Sequence, residues 1–122
     1  MKPVSFLVLA LAALPLLAPA PAEARSLGRS LDRSGLQPAD LEVMTTAAMQ
    51  LLEPLGRTGD ARRWSNPRTR SVGAVTLGRI EGACAELVHR VRSKRMTETA
   101  TFRTWRCRTA TGDWQASAEP TN

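Results

Sequence analysis

Few residues in this 122-residue chain have side chains suited to chemistry. There is one histidine, His89, and there are two cysteines, Cys84 and Cys107. As a general base, His89 needs a nucleophile or an acid partner within hydrogen-bond reach. No serine stands in the Gly-x-Ser-x-Gly setting that exposes a nucleophile. One histidine, two cysteines and scattered carboxylates offer no metal-ligand spacing. The glycines form no phosphate loop, and Cys84 and Cys107 are not a Cys-x-x-Cys redox pair. No cofactor, no metal and no enzymatic activity are expected. The tryptophans remain. Trp64, Trp105 and Trp114 stand near Arg63, Arg103, Arg106 and Arg108, and exposed rings beside guanidinium groups stack on ligands or enter membrane interfaces. Trp64, Arg103, Trp105, Arg106, Arg108 and Trp114 therefore form the candidate binding surface. The competing role is packing: with two phenylalanines and no tyrosine, the rings are needed to cap a thin core. That role suits Trp64 and Trp114 best.

The compartment reads from the N-terminus. Lys2 precedes an apolar run over residues 6–17, and Pro-Ala repeats lead to an Ala22-x-Ala24 pattern. This is the layout of a secretory signal peptide cleaved after Ala24. The run is short for a membrane span, so no transmembrane segment is expected after cleavage. Cleavage removes one cation, Lys2, and one anion, Glu23, leaving the formal charge at +6. In an oxidising compartment an even pair of cysteines reads as a disulfide. A basic exported domain meets anionic lipid, polysaccharide or protein partners. No compact block of five or six basic residues appears, which argues for plain solubility and against specific nucleic-acid binding.

These residues need elements to position them. Residues 25–36, rich in Gly, Ser and Arg, read as a flexible linker. A helix is expected from Gln37 and Pro38, with Asp40 and Glu42 at its positive end. Leu41, Met44, Ala48, Leu52 and Leu55 share one face, widened by Met49 and Leu51, and the run stops at Pro54. A short strand over residues 63–65 leads into the turn at Asn66 and Pro67. A strand over residues 71–80 should place Val72, Ala74, Val75 and Leu77 in the core, with Gly73 and Gly78 marking a bulge or a close backbone approach. Two alternating strands, 84–92 and 99–108, flank a polar loop over residues 93–98. A last short strand covers residues 114–117, and residues 118–122 form a disordered tail.

The hairpin carries its own check. Centring it between Arg95 and Met96 pairs Cys84 with Cys107, Val91 with Ala100 and His89 with Phe102. Leu87, His89, Val91, Ala100 and Phe102 then share one face, while Glu86, Arg90 and Arg92 face the other way. A core face and a cysteine pairing fall out of the same register. The expected fold is α+β: one amphipathic helix on an antiparallel sheet of four to five strands, stapled by one disulfide and occupying residues 37–117.

The order of these features resembles the C-terminal domain of the rickettsial-type outer-membrane surface antigens, the seventeen-kilodalton antigen group. There an Asp-led helix precedes a Trp-x-Asn-Pro turn, a glycine-containing strand, and two cysteines followed by Gly and Trp. Here the helix over residues 40–53, then Trp64, Asn66, Pro67, Thr69 and Gly73, then Cys84, and last Cys107, Arg108, Gly112 and Trp114 match that order. Arg70 stands where the group usually has glycine, and Ala85 follows the first cysteine in place of arginine. No lipobox cysteine follows the signal peptide. The resemblance implies a soluble periplasmic, outer-membrane-associated or secreted version of the domain, with no catalytic residues to carry over. The expected function is a non-enzymatic envelope protein that makes structural or interaction contacts. The alternative is an exported inhibitor or ligand-binding module that presents residues 93–98 to a protein partner.

Overall fold

Proline suits the first helical turn, where its missing N–H would have had no partner, and Pro38 opens the helix that packs on the sheet. The structure, a computed structural model, describes residues 34–120. The expected signal peptide over residues 1–24 and most of the expected linker lie outside the described residues, as do the last two positions of the expected tail. The elements run α1 (Pro38–Leu52), β1 (Ala61–Asn66), β2 (Ser71–Glu81), β3 (Cys84–Arg92), β4 (Ala100–Arg108) and β5 (Trp114–Ser117). The strands form one antiparallel sheet in sequence order. The helix lies against one face of β1 and β2. The α+β architecture and its single staple are those expected.

Met44, Ala47, Ala48, Leu51 and Leu52 of α1 are buried against Trp64, Val75, Leu77, Leu87 and Val91 of the sheet. Leu41 and Met49 pack at the margin. Leu55 lies past the helix end and is 43% exposed, so the apolar stripe stops one turn earlier than its spacing suggests.

The helix start is anchored by a residue whose role was larger than expected. Asp40 is fully buried. Its carboxylate accepts from the Gln37 backbone N–H at 2.8 Å, from Asn66 Nδ2 at 2.9 Å, from Ser71 Oγ at 3.1 Å and from the Thr69 hydroxyl. Burial by itself pushes this carboxyl up, but the four donors outweigh it and hold Asp40 below the usual carboxylate range. One side chain thus caps α1 and fixes the β1–β2 turn. Within that turn Arg70 adopts φ 59, the left-handed region that costs a side-chain-bearing residue energy and glycine none.

Strand β2 corrects one expectation. Gly73, Val75 and Leu77 face the helix, whereas Val72 and Ala74 face away, and Val72 is 47% exposed. Side chains alternate along a strand, so the four apolar residues proposed for the core could not all lie on one face. The space a side chain at Gly73 would fill is taken by the Trp64 ring. A Cβ there would stand 2.6 Å from that ring and 2.6 Å from the Arg90 carbonyl oxygen. Gly78 marks the bulge, since the register shifts between Leu77 and Ile80.

The β3–β4 register is the one expected, with Cys84 opposite Cys107, His89 opposite Phe102 and Val91 opposite Ala100. Cys84 and Cys107 are joined as a disulfide with their Cα atoms 4.0 Å apart. The end of the expected linker is also placed. Ser34 is buried, and its carbonyl accepts from the buried Ser93 hydroxyl. Ser34 therefore belongs to the folded unit, ahead of the expected boundary at residue 37. At the other end the Ser117 hydroxyl donates to the Glu119 carbonyl at 2.6 Å, so the tail is held at least that far.

Candidate functional site

The expected binding surface divides between the two faces of the sheet. Along β4, Arg103, Trp105 and Cys107 point away from the helix, while Arg106 and Arg108 point to the helix side. Trp114, paired with Arg108, also lies on the helix side and packs against the core, with the Arg108 guanidinium 5.0 Å from its ring centre. Trp64 is in the core. The indole N–H groups of Trp64 and Trp114 are buried and have no hydrogen-bond partner among the described residues. Capping the core is thus what Trp64 and Trp114 do, and the six candidates are not one continuous surface.

Arg103 and Trp105 belong to a cluster on the outer face, the face turned from α1. At the bulge, Gly78 and Arg79 together oppose Glu86. The absent side chain of Gly78 leaves the room that the Glu86 carboxylate occupies, since a Cβ would stand 2.6 Å from Oε1. Glu86 lies on the face expected, opposite Leu87 and Val91, and is 2% exposed there. Arg79 Nη2 donates to Oε2 at 2.9 Å and Arg103 Nη1 to Oε1 at 2.8 Å. Burial pushes Glu86 up; the hydrogen bond and charge of Arg79, and then Arg103, hold it below the ordinary glutamate range. The Arg79 guanidinium also lies 5.3 Å from the Trp105 ring centre, leaving Trp105 buried. These groups satisfy one another.

His89 is 4% exposed. It stacks on Phe102 with ring centres 4.8 Å apart, and Nε2 is 3.0 Å from Thr104 Oγ1, while Nδ1 is buried with no partner among the described residues. Burial, helped by the Arg106 charge, pushes its pKa down to about 4. A base that weak does not activate a threonine hydroxyl at neutral pH. Among the described residues no group of three His, Cys, Asp or Glu stands close enough to hold a metal ion. No helix among them is long and apolar enough to cross a membrane.

A different feature was not read from the sequence. Arg63, Arg90 and Arg92 stand on the outer face around a shallow, open cleft of about 680 Å³. Val72 and Ala74 form its floor, with no acidic residue in its lining. In one row across the sheet Arg63 neighbours Ala74, which neighbours Arg90, so a methyl group lies between two long cations. Among the described residues none of the three arginines has an acidic partner in an ion pair. The same register brings the β1–β2 turn, with Arg68 and Arg70, to the sheet end that carries the β3–β4 loop, with Lys94 and Arg95. All four are exposed, and Glu98 is the one acid of that loop. These cations are scattered along the chain and are gathered only by strand pairing. The hairpin centre at residues 95 and 96 was the available signal for the second group.

No protein-family model matches this chain, and no curated protein or solved structure matches it.

Proposed function

We propose that this chain is a non-enzymatic, exported envelope protein, akin to the C-terminal domain of the rickettsial-type surface antigens. Its stapled α+β domain makes contacts with an anionic component of the periplasm or outer membrane. The observation that carries this reading is the outer sheet face, where Arg63, Arg90 and Arg92 surround a cleft and no carboxylate among the described residues pairs with them. Unanswered guanidinium groups on an open surface favour an anionic partner. Two further features support it. The Cys84–Cys107 disulfide suits an oxidising compartment. The motif residues Asp40, Asn66 and Thr69 share one hydrogen-bond network, which gives a physical reason for their order in the chain.

The test is cosedimentation of the purified domain, residues 25–122, with isolated outer membranes. The reading expects the protein in the pellet at low salt and its release as ionic strength rises past the point where surface charges are screened. Binding to one envelope protein that survives high salt would favour the inhibitor or ligand-binding alternative.

A further inference from the structure

We infer that the outer-face cleft is a binding site for a single chain of acidic polysaccharide, whose carboxylate or sulfate groups pair with Arg63, Arg90 and Arg92. This deepens the proposed function by naming the partner's chemistry. It rests on that reading for where such polymers are met.

Three features of the cleft select this occupant. Arg63 and Arg90 stand two strands apart, about 10 Å at the usual strand spacing, and Arg92 follows Arg90 two residues along the same strand. A linear polyanion that bears one charge on successive sugars meets such a spaced set with one anion for each guanidinium, and each planar fork can hold a carboxylate or sulfate through two hydrogen bonds. The floor of Val72 and Ala74 suits the apolar faces of sugar rings, and Ser65 and Thr99 in the lining offer hydroxyl groups to sugar hydroxyls.

An acidic peptide fits less well. The backbone groups of β2 are engaged on both sides, by β1 and by β3. An extended peptide gains affinity by pairing with a free strand edge, and the cleft floor on β2 offers none. A sugar chain makes no such demand.

The experiment is titration calorimetry on the purified domain with hexagalacturonate. Neutral maltohexaose, hexaglutamate and phosphatidylglycerol vesicles are the comparison probes. Arg63→Ala/Arg90→Ala removes two cleft cations. Arg57→Ala/Arg62→Ala removes the same charge from exposed positions outside the cleft, and unfolding midpoints check that both variants fold. The inference expects hexagalacturonate to bind and maltohexaose not to bind. It expects the cleft variant to lose about tenfold or more in affinity and the charge-matched variant to bind like the wild type. Equal losses in both variants would reduce the effect to net charge and overturn the site. Equal or tighter binding of the vesicles or the peptide would overturn the choice of ligand. Because this assay uses pure protein, its failure leaves the export reading standing, and retention of the protein inside the cell would leave the site standing.

Discussion

The Asn66 side-chain amide donates to the Asp40 carboxylate at 2.9 Å, joining the first turn of α1 to the end of β1 across 26 residues of sequence. Three more donors converge on the same carboxylate. Asp40→Ala strands all four in a buried site, and a loss of about 3 kcal/mol in unfolding free energy is expected. Because the folded pKa of Asp40 lies below its ordinary value of 3.8, this contribution is whole above that pH and is lost as the pH falls through the folded pKa. Urea unfolding of wild type and variant at neutral pH measures the difference; matching midpoints would show that the network does not hold the helix.

His89 has its own pH window. Its pKa falls from 6.5 to about 4 on folding, so the unfolded chain binds more protons between those values. Stability is then complete above pH 6.5 and declines as the pH drops toward 4, by about 3 kcal/mol in all. Urea midpoints taken at pH 7, 5.5 and 4.5 should fall steadily, and His89→Leu should flatten that stretch. A wild-type midpoint constant from pH 7 to 4.5 would mean that the imidazole is protonated in the fold.

Two backbone positions predict opposite signs. Gly73→Ala drives a methyl into the Trp64 ring and the Arg90 carbonyl, with an expected loss of about 2 kcal/mol. Arg70→Gly relieves the left-handed φ of 59° and should raise stability by up to about 1 kcal/mol. Thermal unfolding of the pair decides both, and a stabilised Gly73→Ala would show that the ring is not seated on that glycine.

The disulfide spans 23 residues of sequence, and in the chain-entropy account closing such a loop stabilises by about 3 kcal/mol. Cys84→Ser/Cys107→Ser should lower the unfolding midpoint accordingly. Wild type under reducing conditions should follow the double variant, and an unchanged midpoint in both would remove the staple from the account.

The hairpin was legible because two signals shared one register: alternating Leu87, His89 and Val91, and a cysteine at each matching position. The helix was legible from its period and from Pro38. The facing of β2 was not, since a core position is occupied by Gly73 and filled by a ring from the neighbouring strand, which hides the alternation. The face of Glu86 was legible from the alternation, and only the bulge at Gly78 and Arg79 reveals why it is buried. The arginine-lined cleft escaped because Arg63 lies on β1 and Arg90 and Arg92 on β3, with β2 between them. Linear charge runs do not register cations gathered by pairing. The tryptophans drew attention as the large rings of a chain short of aromatics, and two of them serve the core for that same reason.

The central claim is that the chain is exported and stapled. The most direct measurement is the intact mass of the protein recovered from its native cells, before and after reduction with thiol alkylation. The account predicts a chain beginning at Arg25 whose two thiols take up label only after reduction. A retained N-terminal segment, or thiols that label without reduction, would contradict it.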